Sequence, residues 1–288
     1  MKRSMRIASV AVLVVTARVA PCAAQGTGPS AGPVVSIQWL KQHAANPGVV
    51  VIATNDTPPY ESGHIPNARF LGHDGTLDHG AHRLLAPAQL ATVLARAGAT
   101  DSSRIVLYGE PLAVGWLYYA LASIGHADHV SVLDGNYTAW LAAGHSGSTD
   151  SPAPASGHLT VKPSPDIAVD RAWVRSHLDD PKTRLLDVRS SQEWEKGVIP
   201  NSTKFLWADL YSDVKTRRLK TPAEMRAVFE KAGVGEGQTA VTYCAVGMRA
   251  SLAYFAARAA GIPARVYVGS WADWSSDPTS PITKNRLP

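Results

Sequence analysis

Cysteine is scarce in this chain, which has Cys22 near its start and Cys244 near its end. Residues 1–24 follow the order of a secretory signal peptide, with a basic opening, an apolar stretch and small residues. Cleavage after Ala24 would leave Cys244 as the single thiol of the mature chain. A single thiol excludes an internal disulfide, so Cys244 acts as a thiol or as an adduct of one.

Long hydrophobic runs are also missing. The apolar stretch over residues 7–17 is too short to span a bilayer, and no other candidate span follows it. We therefore expect export to the periplasm, with no stable membrane insertion after cleavage. A lipoprotein with lipidated Cys22 is the alternative, and Pro21 directly before that cysteine argues against it.

Removal of residues 1–24 would remove most of the net positive charge. The formal net charge is +5, and four of the basic residues lie in residues 1–24, which contain no acid; the mature chain has a net charge of +1. These four are Lys2, Arg3, Arg6 and Arg18. A nearly neutral chain gives no support for nucleic-acid binding, which needs a clustered basic face.

Two kinds of site are absent from the mature sequence. It has no glycine-lysine loop of the kind that holds nucleotide phosphates. A group of His and Asp side chains follows no standard zinc spacing, so we predict no metal and no cofactor. The members of this group are His73, Asp74, Asp78, His79 and His82.

The chain consists of two copies of one unit. Three stretches of the first half match three of the second, in the same order and at similar spacing. The matching pairs are residues 60–68 with 194–202, 105–109 with 240–244, and 134–140 with 268–274. We predict domains at residues 34–145 and 166–280, joined by an extended linker over residues 146–165 that is rich in Ser, Gly and Pro.

Short apolar runs alternate with helical patterns in each copy. This alternation predicts the α/β class, with a parallel sheet flanked by helices in each domain. In the second copy we predict helices at 170–178, 221–231 and 250–260, and strands at 185–188, around Val241 and at 265–268. Ligands of such sheets bind at the carboxyl ends of the strands, which is where Cys244 falls.

Cys244 lies between a predicted strand and a predicted helix. Loop amides, the positive end of that helix and Arg249 all favour the thiolate, which is the nucleophilic form. The alternative is a buried structural cysteine, since free cysteine is often buried. The loop spacing favours the reactive thiol.

These motifs together resemble the two-domain rhodaneses, which are thiosulfate or 3-mercaptopyruvate sulfurtransferases. The resemblance covers nearly the whole mature chain. It is carried by residues 187–189, 197–201, 218–222, 244–251 and 268–271.

The resemblance implies that Cys244 takes a sulfane sulfur from a donor as a persulfide and passes it to cyanide or a thiol. It also implies that substrate contacts come from the Cys244 loop and from Arg189, with Asp187 in support. The loop residues are Ala245, Val246, Gly247, Met248 and Arg249. Arg249 either acts on the sulfur or bridges to an acid, and Arg189 either binds substrate or holds a loop; the sequence leaves both open.

The first copy lacks the reactive residues. Gly109 stands in the place of Cys244, Ala53 in that of Asp187 and Asn55 in that of Arg189. We therefore expect the first domain to be silent and to form a wall of the cleft over Cys244.

The loop departs from both family patterns. Thiosulfate-type enzymes follow the cysteine with Arg and Lys, and mercaptopyruvate-type enzymes with Gly and Ser, whereas this chain has Ala245 and Val246. Glu193 also stands where the thiosulfate type has a substrate-contacting Arg. We predict a thiosulfate sulfurtransferase acting as a monomer. The alternatives are a mercaptopyruvate enzyme and a non-catalytic persulfide carrier.

A cysteine phosphatase is a further alternative on this fold. Its loop places five residues between Cys and Arg, to make room for three phosphate oxygens. Here only Ala245 to Met248 intervene, and this smaller loop suits a single sulfur atom.

Two further groups of residues are less specific. Trp140, Trp271 and Trp274 are expected in core or interdomain packing. Lys215, Arg217, Arg218 and Lys220 form a basic run that is either solvated or at the rim of the cleft.

Overall fold

Each half of the chain forms a five-stranded parallel sheet with helices packed on it. The structure is a computed structural model, and it describes residues 28–284 apart from residues 57, 82, 151, 154, 155 and 163. In chain order the first half contains β1 (Val34–Val35), α1 (Ile37–His43), β2 (Val49–Ala53), β3 (Arg69–Phe70), β4 (Leu77–Asp78), β5 (Arg83–Leu84), α2 (Pro87–Arg96), β6 (Arg104–Tyr108), α3 (Pro111–Ser123), β7 (Val130–Leu133) and α4 (Tyr137–Ala142).

The second half repeats this order of elements, with one additional short helix between its second and third strands. It contains β8 (Ala168–Val169), α5 (Arg171–Ser176), β9 (Thr183–Asp187), α6 (Ser191–Glu195), β10 (Thr203–Lys204), β11 (Tyr211–Asp213), β12 (Arg218–Leu219), α7 (Pro222–Lys231), β13 (Thr239–Tyr243), α8 (Met248–Ala259), β14 (Ala264–Tyr267) and α9 (Ser270–Ser276).

The two sheets have the same topology. Their strand orders are β1-β7-β6-β2-β3 and β8-β14-β13-β9-β10, and β4–β5 and β11–β12 form separate antiparallel hairpins. The predicted α/β class, with two parallel sheets flanked by helices, is confirmed. Because the second sheet is parallel, the carboxyl ends of its strands all lie at the edge where Cys244 follows β13.

Several predicted boundaries were displaced by local hydrogen bonding. Helix α8 begins at Met248 rather than at residue 250, because Gly247 is left-handed and serves as its N-cap. Helix α5 ends at Ser176 rather than at residue 178, since the His177 N–H bonds to the Val174 carbonyl in a tight final turn. Strand β9 begins at Thr183, where it pairs with β13. Helix α7 has the predicted capping box and bounds.

Helices α3 and α8 join the two halves. A Cβ atom on Gly115 of α3 would lie 2.5 Å from the Leu252 Cα of α8, so only glycine permits this approach of the two helices. Both helices are buried around most of their circumference, because each packs on its own sheet and on the other helix. A single hydrophobic core therefore extends from one half into the other.

The segment between the halves is attached to the first domain. Leu159, within the predicted linker, is buried in the shared core. Thr160 donates its N–H and hydroxyl to the Asp101 carboxylate, over 2.7 and 2.6 Å. His158 pairs with Thr100 in a parallel bridge. These bonds hold the chain along the domain surface as it passes to the second half.

Two of the three tryptophans singled out from the sequence are in the core. Trp140 and Trp274 are buried, and each indole N–H donates 2.9 Å to a backbone carbonyl, of Ser146 and Pro281 respectively. Trp271 is only partly buried and lies beside the Cys244 loop.

No helix in the described part of the chain has the length and apolar character needed to cross a bilayer. The predicted signal peptide and Cys22 lie outside the described residues.

Candidate active site around Cys244

Cys244 is buried in a loop between β13 and α8, with 1% of its surface exposed. The Gly247 N–H donates to its Sγ atom over 3.0 Å. Its own N–H donates to the Ser270 hydroxyl over 3.1 Å. The sulfur thus accepts a hydrogen bond from one backbone N–H at the start of a helix, an arrangement that stabilises negative charge on sulfur.

The carbonyls of the loop point away from the sulfur. The Cys244 carbonyl accepts from the Trp271 N–H at 2.9 Å, and the Ala245 carbonyl accepts from the Ala272 N–H at 3.0 Å. Helix α9 therefore fixes the loop from outside. Ala245 and Met248 are half-buried, whereas Val246 is 52% exposed and forms the outer part of the loop.

Gly247 is required at the turn into α8. Its φ of 100° is in the left-handed region, and a Cβ there would lie 3.1 Å from the Val268 carbonyl oxygen. Such a Cβ would also lie 3.7 Å from the indole ring of Trp116, which belongs to the first half. The Trp116 indole N–H donates to Thr76 over 3.1 Å. The first half thus contributes a buried wall beside the loop.

Arg249 forms a two-pronged ion pair with Glu193, with N–O distances of 2.7 and 2.8 Å. The hydrogen bonds from Arg249 lower the pKa of Glu193 to about 2, so this pair is fully charged near neutral pH. The pKa of Arg249 is raised mainly by Glu193 and further by the negative charge of Cys244. Arg249 therefore bridges to an acid, which is one of the two roles that the sequence left open.

Asp187 and Arg189 form a buried ion pair beneath the loop. The Arg189 Nε lies 2.9 and 3.0 Å from the two carboxylate oxygens, and its Nη2 lies 2.6 Å from Oδ2. Nη2 also donates to the Gly197 carbonyl over 2.7 Å. Burial alone would lower the pKa of Arg189, but the bonds to Asp187 raise it. With its side chain 1% exposed, Arg189 is placed to hold the loop after β9 rather than to meet a dissolved anion.

Two aromatic residues connect this ion pair to the Cys244 loop. The Tyr243 hydroxyl donates to Asp187 over 2.8 Å, and burial raises the pKa of Tyr243 well above its ordinary value. The guanidinium of Arg189 stacks 4.2 Å from the Trp271 ring, whose backbone N–H bonds to Cys244. The ion pair therefore supports the Cys244 loop through two residues: Tyr243, which directly precedes the loop, and Trp271, which bonds to the loop backbone.

The first half has no comparable loop. Helix α3 begins at Pro111, two residues after Gly109, whereas α8 begins four residues after Cys244. The Glu110 carboxylate accepts from the N–H groups of Leu112 and Ala113 at 2.9 and 3.0 Å. A side chain of the protein itself thus occupies the helix end that faces sulfur in the second half.

Four members of the His and Asp group of the first half lie in the described part of the chain, and His82 lies outside it. Among the described residues there is no cluster of three or more potential ligands. His73 instead contacts Asn55 at 3.3 Å and Asp74 at 3.1 Å.

Three contributors to the site could not be assigned from the sequence. Glu193 was noted only as a departure from a family pattern, although the capping-box spacing of Ser190 and Glu193 indicated a short helix there. Ser270 was noted only as part of the motif at residues 268–271, and Trp116 gave no local signal; each acts through a contact with a distant part of the chain.

Comparison with known proteins agrees with this architecture. The family model described as Rhodanese-like domain matches residues 36–143 and again residues 170–277. The chain is 26% identical over 251 residues to a thiosulfate sulfurtransferase of Pseudomonas aeruginosa, covering 82% of this chain and 91% of the relative. It is 30% identical over 244 residues to a probable 3-mercaptopyruvate sulfurtransferase of the same species, covering 77% and 85%.

Among solved structures, the 3-mercaptopyruvate sulfurtransferase SseA of Escherichia coli has the same fold. The TM-score is 0.73 at 22% identity, and the match covers 84% of this chain and 99% of the other. With two matched domains, two sheets of the same topology and one buried cysteine at a strand end, the chain belongs to the rhodanese family, as a tandem-domain member.

Proposed function

We propose that this protein is a sulfurtransferase that carries sulfur as a persulfide on Cys244 and takes it from thiosulfate or a related anion. The observation that carries the proposal is the hydrogen bond from Gly247 N–H to the Cys244 sulfur at the start of α8. A thiolate at this position is stabilised without a metal, and the thiolate is the attacking form.

In the first half-reaction, the Cys244 thiolate attacks the outer sulfur of thiosulfate. A sulfur–sulfur bond forms to the protein, the sulfur–sulfur bond of thiosulfate breaks, and sulfite leaves with the electron pair. The terminal sulfur of the persulfide is then the negatively charged atom. The loop amides and the positive end of α8 stabilise this charge.

In the second half-reaction, a nucleophilic acceptor attacks that terminal sulfur. Cyanide becomes thiocyanate, or a thiolate becomes a persulfide, and the electron pair of the broken bond returns to Cys244. No oxidant or reductant is consumed. Turnover of thiosulfate with cyanide therefore tests the proposal, whereas a carrier protein would accept one sulfur and stop.

The residues around Cys244 define the identity of the sulfur donor less closely than they define the sulfur transfer itself. Positions 245–248 of the loop carry no charge, and Arg249 is already paired with Glu193. Thiosulfate would therefore be bound weakly, chiefly by backbone amides. The same neutrality supports a second candidate, 3-mercaptopyruvate, which carries one negative charge and an organic body.

A cation placed at position 246 separates these donors. Val246 is exposed on the loop, so the Val246→Lys variant presents its charge to an incoming anion without disturbing the core. We expect the KM for thiosulfate to fall about tenfold, which corresponds to about 1.4 kcal/mol. Steady-state kinetics with cyanide as acceptor measures this change.

The neutral variant Val246→Gln is the matched control and should change the KM much less. If Val246→Lys leaves thiosulfate kinetics unchanged while the parent protein uses mercaptopyruvate efficiently, the donor is mercaptopyruvate.

We also propose that the protein acts as a periplasmic monomer after removal of residues 1–24. The support is the order of basic, apolar and small residues up to Ala24. N-terminal sequencing of the protein recovered from the periplasm should begin at Gln25. A chain that begins at a lipid-modified Cys22 would instead identify a lipoprotein.

A further inference from the structure

The two hairpins of the molecule are equivalent in the repeat, but they meet different partners. Arg83 in β5 corresponds to Arg218 in β12: each pairs with an Asp of its hairpin, each is followed by Leu, and each precedes a proline-initiated helix by four residues. The second-half hairpin bonds to the first half through Leu219, and the first-half hairpin lines a cleft together with residues of the second half.

The second-half hairpin interacts with a carboxylate of the first half. Asp134 follows β7, and its Oδ1 accepts from the Leu219 N–H at 2.8 Å. Arg218 lies 3.4 Å from the other carboxylate oxygen and donates to the Asp134 carbonyl over 2.9 Å. The charge of Arg218 is thereby neutralised across the domain boundary.

No equivalent carboxylate follows β14, at the place where Asp134 follows β7. The residue that corresponds to Asp134 is Val268, which follows β14. Within the described part of the chain, the side chain of Arg83 has no hydrogen-bond or ion-pair partner, although its backbone pairs with Asp78 in the hairpin. It is exposed on the wall of a cleft of about 520 Å³.

This cleft adjoins the Cys244 loop. Its walls include Val246, Tyr267, Val268 and Ala272 from the second half, with Ala81 and Arg83 from the first. Val268 is the residue whose carbonyl lies against Gly247. The apolar walls suit an organic molecule better than a bare oxyanion, since they offer the oxyanion no hydrogen bonds.

On the basis of the proposed sulfur transfer, we propose that Arg83 binds the carboxylate of a small organic sulfur compound whose sulfur end reaches the Cys244 loop. The recognition group thus comes from the half of the protein that has no thiol. The compound is either a carboxylated thiol acceptor or a thiol-bearing keto acid donor, and both present the same carboxylate to Arg83.

The other charges of the cleft agree with this orientation. Asp170 and Asp273 of the second half also line the cleft. One oxygen of Asp170 caps α5, and Asp273 accepts from the Tyr267 hydroxyl at 2.6 Å with Arg171 3.6 Å away. These two carboxylates repel an anionic group, so Arg83 is the favoured end of the cleft for a carboxylate.

Equilibrium binding tests the role of Arg83 without any turnover. The dissociation constants of 3-mercaptopropionate and 2-mercaptoethanol are measured by calorimetry or NMR on the full chain, with no sulfur donor present. In the parent protein we expect the carboxylated thiol to bind about tenfold more tightly, which is the size of one charge-assisted contact at a partly exposed site. In Arg83→Gln this preference should disappear.

Two further variants use the repeat as a control. Arg218→Gln removes the equivalent arginine at the contact with Asp134 and should retain the preference. Val268→Asp supplies the missing carboxylate, should pair with Arg83, and should abolish the preference as Arg83→Gln does.

Kinetics then identifies the source of the carboxylate. A selective rise in KM for 3-mercaptopropionate in Arg83→Gln identifies an acceptor, and a selective rise for mercaptopyruvate identifies a donor. Equal preferences in the parent and Arg83→Gln proteins would overturn the inference. A parent protein without turnover would instead overturn the proposed function and leave the binding result standing.

Discussion

The Cys244→Ser variant is expected to lose sulfur transfer by at least about a thousandfold, because the attacking atom is removed and no other group can accept the sulfur. Parent protein treated with thiosulfate should gain the mass of one sulfur atom, and the variant should gain none. Intact mass spectrometry and thiocyanate formation with cyanide measure the two effects.

The change is nearly isosteric, so it should leave the fold intact. The serine hydroxyl can still accept the hydrogen bond from Gly247. The thermal unfolding midpoint of Cys244→Ser should therefore stay close to that of the parent protein. Turnover that persists in this variant would exclude the persulfide mechanism.

The Asp187→Asn variant is expected to lose about 3–5 kcal/mol of unfolding free energy, because it leaves the charge of Arg189 buried without a partner. Asp187 is fully buried and accepts from Arg189 and from the Tyr243 hydroxyl. Urea denaturation followed by circular dichroism measures the loss.

The first half of the molecule provides the matched control for this prediction. It has Ala53 and Asn55 at the equivalent positions and folds without the ion pair. The double variant Asp187→Ala/Arg189→Asn should therefore be more stable than Asp187→Asn. If the double variant is the less stable of the two, an unpaired charge is not the cause of the loss.

The double variant also separates the two roles considered for Arg189. A purely supporting role predicts that any change in the thiosulfate KM follows the change in stability. A rise in KM in a double variant of near-parent stability would show contact with the donor.

The repeat and the position of Cys244 could be predicted because both depend on local sequence. Matching stretches such as residues 134–140 and 268–274 show the duplication directly. The capping box at Thr221 gave the bounds of α7, since its hydrogen bonds connect residues three apart. Such signals need no knowledge of the rest of the fold.

The packing of the halves could not be predicted in the same way. Helices α3 and α8 are apolar around most of their circumference. This pattern indicates that both faces of each helix are buried, but it does not identify the elements that cover them. Only the fold shows that Gly115 lets α3 pack directly on α8. The contact between Trp116 and the Gly247 turn depends on that packing.

The direction of individual side chains could not be predicted from the sequence either. The sequence placed Arg189 and Arg249 near Cys244 but left two roles open for each. The structure shows a partner for each that the sequence did not identify: Glu193 for Arg249, and the enclosed Asp187 for Arg189. Ion pairs of this kind follow from the three-dimensional arrangement of the chain.

Cys244 is the single cysteine in the part of the chain that the structure describes, and it is enclosed by its own loop. A second thiol nearby would discharge a persulfide by closing a disulfide and releasing the outer sulfur. Within residues 28–284 no such internal discharge exists. The loaded protein is therefore a sulfur reservoir, and its lifetime is set by how often an acceptor enters from outside.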